Sequence, residues 1–288
     1  AKQVVAVEPR FRFQDTLRRI LEMLSQAWTL EEEEAESRVS RLVQALRWRV
    51  SRAPEGSVLK VEAVRTMVRG DALALRSRQE SERGSGSLVD AMLLGCRGRV
   101  RAETLRLVNA LAATGDGRRY LLSPGSRVVA ALASAVDFNE QDTRARRHLL
   151  GALQKLSFHA VAARRMCALG VMGWVTRTLL GVVTTGEVTA ERLRKSREGL
   201  ISHLSEYDAE HGAALLMNLS LVPQGKKLAA RAAAAARARA AEDDEGPFDA
   251  ENPEDDILEV MRMLLQSPSE TVRVYANGAL YSLLRAED

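Results

Sequence analysis

Residues 211–230, HGAALLMNLSLVPQGKKLAA, decide how the rest of the chain is interpreted. An apolar run of Leu and Ala carries one amide, Asn218, stops at Pro223-Gln224-Gly225 and continues with the basic pair Lys226-Lys227. Apolar residues at helical spacing followed by Pro and Gly indicate one helix that ends and another that begins. If the pattern recurs elsewhere, this is one copy of a repeated unit and not an isolated turn.

The pattern does recur along the chain. LVNALAATGDGRR begins at Leu107 and LQKLSFHAVAARR at Leu153, and both pass from an apolar helix through a break to a basic pair, as LMNLSLVPQGKK does from Leu216. The last helix, SETVRVYANGALYSLLRAED, supplies a fourth copy at Leu280, so the offsets are 46, 63 and 64 residues. An armadillo or HEAT unit has ~40–47 residues, which matches the first offset and, with insertions, the other two.

The order of helices favours armadillo over HEAT or tetratricopeptide units. After each basic pair comes a second apolar helix, at 127–136, 171–183 and 256–267, and then a longer helix returns. Further helices are predicted at 11–28, 30–50 and 58–77 because their apolar residues follow the helical period. Strand signals are scarce throughout. The predicted fold is therefore all-α, an armadillo-type right-handed α-solenoid, or α-α superhelix.

The predicted organisation is a single armadillo-repeat domain spanning 1–288. Two polar stretches, about 78–87 and 240–255, are expected to be flexible loops or insertions, since Gly, Pro, Ser and acids dominate them. An extra helix around 187–204 accounts for one of the long offsets.

Aligned copies place polar residues at equivalent positions of the long third helices. Because residues at i, i+4, i+7 and i+11 share a helix face, each copy presents one polar column, while the opposite face is small and apolar. We expect this column to point away from the core and to form the floor of a groove that binds a partner. The candidate groove residues are Asn109, Arg144, His148, Lys155, Tyr207, His211, Asn218, Tyr275 and Ser282.

Composition and motifs exclude several classes of protein. The chain has a net charge of +4, too small to predict nucleic-acid binding. Its two cysteines, Cys96 and Cys167, suit neither a disulfide framework nor a zinc site and indicate a reducing compartment. The apolar stretch 166–183 contains Arg177 and three glycines, which favours two short helices joined at a glycine over a membrane span. No catalytic motif occurs, so we predict a non-enzymatic chain without metal or cofactor.

Two strings near the end of the chain carry a family resemblance. HLSEYDAEHGAALLMNLSLVPQGKK at 203–227 and TVRVYANGALYSLL at 271–284 resemble the armadillo region of the armadillo repeat-containing protein 9 family, ciliary proteins with a LisH domain. The resemblance implies a scaffold at the cilium, basal body or centriole that supports ciliogenesis, ciliary length or stability and Hedgehog signalling, within a module linked to Joubert syndrome. The implied partners are a TOG-domain array protein or other ciliary-tip and centriolar proteins, with tubulin as a further candidate.

A second interpretation is an adaptor of the nuclear-import or catenin type, which binds peptide segments in its groove. Import carriers place a Trp about one turn before each groove Asn, whereas the corresponding positions here are Gly151, Ala214 and Gly278. Only 4% of the residues are aromatic, which argues against recognition of basic import signals.

Overall fold

A computed structural model describes residues 13–27, 32–75, 88–95, 98–136, 143–180, 205–241 and 257–285. The predicted loop at 78–87, the predicted helix around 187–204, Cys96 and most of the predicted loop at 240–255 lie outside these residues. Residues 240 and 241 belong to a helix.

The described residues form helices and turns and contain no strand. They fall into two compact units, Ala1–Ser126 and Arg127–Asp288. The described helices of the first unit are α1 Phe13–Ala27, α2 Glu32–Ser51, α3 Val58–Arg69, α4 Leu88–Asp90 with a π-helical turn at Ala91–Gly95, α5 Gly98–Ala112 and α6 Gly115–Leu121. Those of the second unit are α7 Val128–Ser134, α8 Thr143–Leu156, α9 Ala160–Ala168, α10 Val171–Leu179, α11 Glu206–Ser220, α12 Pro223–Ala241, α13 Ile257–Leu265 and α14 Glu270–Leu284.

Equivalent helices of successive repeats pack on one another in the second unit. The third helices α8, α11 and α14 contact in that order, the first helix α9 contacts α12, and the second helix α10 contacts α13. A helix of this kind buries its apolar face only against its neighbours, so stacking produces one continuous core. The predicted all-α, armadillo-type fold is confirmed, and the prediction of one continuous domain stays a prediction.

The first unit repeats this arrangement between α2 and α5 and between α3 and α6. Buried Glu103 of α5 pairs with Arg47 of α2 (2.9 Å) and with Arg106 one turn along its own helix. A carboxylate removed from water needs such partners, because burying an unpaired charge costs several kcal/mol. The Arg47–Glu103 pair therefore connects α2 to α5, and the Arg106 pair within α5 further compensates the buried carboxylate.

Helix α3 ends at Arg69, eight residues before its predicted end. Gly70 caps it by donating its backbone N–H to the Thr66 carbonyl, and the chain turns back through Asp71, which has a φ of 45°. The buried Tyr120 hydroxyl then accepts from the Leu73 N–H at 2.8 Å and donates to Asp71 Oδ1 at 2.7 Å. The sequence-based prediction was wrong here because the tertiary contact with α6 stabilises a turn that local helical periodicity does not reveal.

The stretch 166–183 divides as predicted into two short helices. Helix α9 ends at Ala168, Gly170 adopts a left-handed conformation with a φ of 75°, and α10 begins at Val171. None of the described helices combines the length and the hydropathy that a membrane crossing requires.

Helix α12 runs without a break from Pro223 to Ala241. Ala and Arg are strong helix formers, and they continue the first helix of the last repeat.

Two glycines allow the chain to pass closely from a third helix to the next first helix. A Cβ at Gly117 would lie 2.0 Å from the Leu111 carbonyl oxygen, and one at Gly225 would lie 1.8 Å from that of Leu219. Both glycines stand just before a basic pair, at the start of α6 and α12. Backbone crowding, and not chain flexibility, explains why glycine occupies this place in the two repeats.

Substitution of Gly117 tests the close approach. Gly117→Ala should lower the free energy of unfolding by about 2 kcal/mol or more, since the added methyl group clashes with backbone. A methyl group at Gly115, in the same helix, would meet no atom within 4 Å. Gly115→Ala should therefore be neutral or stabilise by up to about 1 kcal/mol. Urea unfolding followed by circular dichroism measures both, and equal effects of the two substitutions would contradict the interpretation.

Candidate functional site

The third helices of the second unit bring most of the candidate residues onto one side of the stack. Helix α11 packs between α8 and α14, and the polar positions of these helices follow one another through the three repeats. We name this surface the third-helix face. It comprises Arg144, His148 and Lys155 of α8, Tyr207, His211 and Asn218 of α11, and Tyr275 and Ser282 of α14.

Hydrogen bonds connect the polar positions to the preceding repeat. The Asn218 amide donates from Nδ2 to Ser157 Oγ at 2.9 Å, and the Ser282 hydroxyl donates to the Ser220 carbonyl at 2.9 Å. Ser157 and Ser220 occupy equivalent positions just after or at the end of α8 and α11. The same position of each third helix therefore binds the same position of the helix before it, and these bonds form a ladder between repeats.

This geometry corrects the predicted orientation of two candidate residues. Asn218 is 6% exposed and Ser282 is 8% exposed, so neither points freely away from the core. Buried polar groups require hydrogen-bond partners, and the neighbouring repeat supplies them. A polar residue on an apolar helix looks the same in sequence whether it meets solvent or the next helix. Whether these two residues also contact a partner stays a prediction.

The acceptor residues of the ladder, Ser157 and Ser220, are absent from the predicted set. A signal for them exists in the aligned copies, where QKLSF and MNLSL place a Ser two residues after the polar position. Ser157 Oγ in turn donates to the Gln154 carbonyl, and Ser220 Oγ donates to that of Leu216. The Ser157 hydroxyl is thus oriented by its own helix and accepts from Asn218, whereas Ser220 accepts from Ser282 through its backbone carbonyl.

Tyr207, His211 and Lys155 are more accessible than the buried Asn218 and Ser282 of the third-helix face. The rings of Tyr207 and His211 stack with centroids 3.8 Å apart and an interplanar angle of 17°, and all three side chains are half-buried. Lys155 Nζ donates to the Gly151 carbonyl at 3.1 Å, which directs the ammonium along α8. A stacked aromatic pair beside a cation provides apolar, polar and charged contact within a small area.

Burial and the charge of Lys155 lower the pKa of His211 below its ordinary value of 6.5. Removal from water is the larger cause, since it disfavours the charged imidazolium. The ring Nδ1 lies 3.1 Å from the Tyr207 carbonyl oxygen, a weaker contribution of opposite sign. At neutral pH the imidazole is therefore uncharged and forms part of an apolar platform with the Tyr207 ring.

The start of α11 is held by an N-cap. Ser205 Oγ accepts from the Asp208 N–H at 3.1 Å and donates to Asp208 Oδ2 at 2.7 Å, while Arg147 of α8 lies 3.5 Å from the same carboxylate oxygen. Asp208 is buried, and its Oδ1 has no hydrogen-bond partner among the described residues. A negative charge at a helix N-terminus is favourable. Because Tyr207 directly precedes Asp208, the contacts of Asp208 also hold Tyr207 in place at the start of α11.

The other candidate residues are placed at the margins of the face. Arg144 is exposed, and His148 of α8 and Tyr275 of α14 are half-buried. Asn109 belongs to α5 of the first unit and is half-buried. Its backbone carbonyl accepts a hydrogen bond from the Ala113 N–H at 3.2 Å. The candidates of the second unit therefore lie on three helices that contact in sequence, and Asn109 lies in the first unit. That they form one binding surface stays a prediction.

No cluster of three or more His, Cys, Asp or Glu residues suited to a metal ion occurs among the described residues. Burial raises the pKa of the Cys167 thiol to about 11, so this cysteine is protonated and a poor nucleophile at neutral pH. The third-helix face offers hydrogen-bond donors, aromatic surface and positive charge. The binding of a partner by these groups stays a prediction.

The relatives found by comparison with known proteins share the same name. The chain is 30% identical over 247 residues to LisH domain-containing protein ARMC9 of Danio rerio. It is 28% identical over 243 residues to the proteins of the same name from Bos taurus and Homo sapiens. Each alignment covers 84% of this chain and 24% to 29% of the relative. The chain thus spans about a quarter of the relatives' length, and the predicted resemblance is confirmed.

Solved structures show a likeness of fold alone. An engineered protein matches with a TM-score of 0.50 at 13% identity, over 94% of this chain and 97% of that one. A designed armadillo repeat protein has a TM-score of 0.47 at 15% identity, over 92% and 99% of the two chains. No family model matches the chain.

A double-mutant cycle tests the ladder between repeats. Asn218→Ala and Ser157→Ala should each lower the free energy of unfolding by about 1–2 kcal/mol, and the double variant should lose about 1 kcal/mol less than their sum. Asn277→Ala, which removes an exposed amide on α14, should change stability by less than about 0.5 kcal/mol. Additive effects of the first pair in urea unfolding would show that the two side chains are not coupled.

The lowered pKa of His211 predicts a pH-dependent loss of stability. His211 binds a proton more weakly in the folded state than in the unfolded chain. Its contribution to the free energy of unfolding is therefore fully present above pH 6.5, and it is lost as the pH falls from there toward the lower folded-state pKa. His211→Gln should reduce this loss in urea unfolding between neutral and mildly acidic pH. His159→Gln removes an exposed histidine and serves as the control. An unchanged pH dependence in His211→Gln would refute the prediction.

Proposed function

Because the chain resembles LisH domain-containing protein ARMC9 over most of its length, we propose that it is a non-catalytic protein-interaction scaffold of the ciliary and basal-body microtubule cytoskeleton. In this role it supports cilium assembly, length or stability and ciliary signalling. The resemblance supports the location, and the third-helix face supports the binding role. The observation that carries the binding role is the stacked Tyr207–His211 pair beside Lys155.

The bound ligand in this proposal is an extended segment of a partner protein. A segment lying across α8, α11 and α14 would place apolar side chains on the Tyr207 and His211 rings and on Tyr275. Lys155 and Arg144 would pair with its acidic side chains. Aromatic and cationic side chains are the groups that contribute most to binding energy at protein interfaces.

The side-chain amides of Asn109 and Asn218 also bind the partner in this proposal. The Asn218 Nδ2 already donates to Ser157, so Asn218 would bind the backbone of the segment through Oδ1. Asn109, in the first unit, would bind a partner's backbone separately, on α5. Candidate partners are a TOG-domain array protein, other ciliary-tip or centriolar proteins, and tubulin.

Packing at three positions favours this scaffold over a nuclear-import carrier. A carrier requires Trp about one turn before each groove Asn, but Ala214 is 4% exposed and Gly151 is buried. A Cβ at Gly278 would lie 2.9 Å from Met217 Sδ. Two of the positions are therefore buried, and a larger side chain at the third would meet the Met217 side chain of α11.

Affinity capture from ciliated cells tests the function with the full 288-residue chain as bait. We expect centriolar and ciliary proteins to be enriched, and the Lys155→Ala, Tyr207→Ala double variant to lose about ten-fold in capture, equivalent to about 1.4 kcal/mol. The matched control is Arg69→Ala with Trp48→Ala, which also removes one cation and one aromatic ring but from exposed positions of the first unit.

Two outcomes oppose the proposal. Enrichment of nuclear cargo in place of centriolar proteins would favour the import-type adaptor. Equal capture by the double variant and the wild type, with an unchanged helical circular dichroism spectrum, would show that the third-helix face is not the binding surface.

A further inference from the structure

A separate basic surface lies on the first helices of the second unit. Residues 143–180 contain seven Arg and Lys residues and no Asp or Glu, and α12 contains five basic residues and no acid. Helices α9 and α12 pack side by side, so two acid-free helices are neighbours. We name their outer surface the first-helix face and define it by Arg164, Arg165, Lys226, Lys227 and Arg231.

The cations of this face are available for binding. Arg164, Arg165, Lys227 and Arg231 are exposed and Lys226 is half-buried. None of the five makes an ion pair with another described residue. Like charges held close together repel one another, so this arrangement is electrostatically unfavourable until an anion approaches.

The first unit shows what the same basic pair does when it is structural. Arg118 donates to the Ala112 carbonyl at 2.9 Å, and Arg119 pairs with Asp116, which also accepts from Arg65 at 3.1 Å. Arg65 and then Arg119 lower the pKa of the Asp116 carboxyl. The pair recurs in all three repeats, but only the pair of the first unit has an acid within its own helix.

Exposed apolar side chains accompany the cations. Phe158 and Leu221 stand at equivalent positions just before α9 and α12 and are 59% and 58% exposed, and Val161 on the outer side of α9 is 70% exposed. Val161, Arg164, Arg165 and Ala168 follow helical spacing and are all exposed. Val161 therefore lies within one turn of the basic pair of α9, and Phe158 and Leu221 lie just before the first turns of α9 and α12.

We propose that the first-helix face binds an acidic protein segment that carries apolar side chains between its carboxylates. Neighbouring packed helices lie about 8–10 Å apart, so the pairs of α9 and α12 form two parallel positive rows. A helix with carboxylates at i and i+7 spans about 10.5 Å and reaches both rows. Its intervening apolar residues would contact Phe158, Val161 and Leu221. A nucleic-acid backbone offers the charge but no aliphatic group for these side chains, which favours a protein.

The surface is independent of the third-helix face, because α9 and α12 provide its residues and α8, α11 and α14 provide those of the other. Loss of binding at one face therefore leaves the other to be measured separately.

Fluorescence anisotropy with two labelled peptides tests the proposal on the full chain. One probe repeats Glu-Glu-Leu and the other Glu-Glu-Gly at equal length and charge. We expect the Leu peptide to bind more tightly, and Arg164→Glu with Arg165→Glu to weaken its binding at least ten-fold. Val161→Ser should weaken the binding of the Leu peptide more than the binding of the Gly peptide. Raising the salt to about 0.3 M should weaken the binding of the Gly peptide more than that of the Leu peptide, since salt screens only the charge contribution.

The matched control is Arg69→Glu with Arg99→Glu, which changes net charge equally at exposed positions of the first unit. Circular dichroism confirms that each variant folds. Equal weakening by control and face variants would overturn the proposal, because net charge alone would then explain binding. Tighter binding of a short DNA duplex or of phosphatidylserine vesicles than of the Leu peptide, lost in the same face variant, would overturn the assignment to a protein segment.

Discussion

The structure depends on the stacking of third helices, since no single repeat buries enough apolar surface to fold alone. In the second unit α11 lies between α8 and α14 and shares its apolar side with both. The ladder from Asn218 to Ser157 and from Ser282 to Ser220 fixes how far one helix is displaced along the next. Apolar packing tolerates small sliding movements, whereas a buried hydrogen bond is satisfied in one register only. The hydrogen-bond ladder thus specifies the register of one third helix along the next, and apolar packing stabilises the helices in that register.

The same ladder determines where binding groups are available. It uses the Nδ2 donor of Asn218 and the hydroxyl of Ser282 inside the stack, whereas Tyr207, His211 and Lys155 are half-buried. Polar character alone is thus a poor guide to a binding residue in a repeat protein, because some polar positions connect the repeats. The stacked rings of Tyr207 and His211 beside Lys155 are the part of the face on which the proposed binding role rests.

Charge is distributed by helix type in the second unit. Carboxylates occur in the first turns of α11 and α14, where Asp208 of α11 contacts Arg147, while the charged residues of α9 and α12 are all basic. In the first unit Arg119 of the equivalent pair binds Asp116, and Arg118 donates to the Ala112 carbonyl. The repeats therefore share a backbone plan and differ in whether their basic pair is used for folding or is available for a partner, which is how one fold supports different surfaces.

The sequence by itself determined the helical class, the repeat and most helix bounds, because apolar period, glycine breaks and basic pairs are local signals. It also carried the family resemblance. Only the tertiary structure decided that α3 ends at Arg69, where Tyr120 of a distant helix accepts the Leu73 N–H. It alone placed Asn218 against Ser157, 61 positions earlier. Helical period tells which residues share a face, but the neighbour that the face meets depends on packing between residues far apart in the chain.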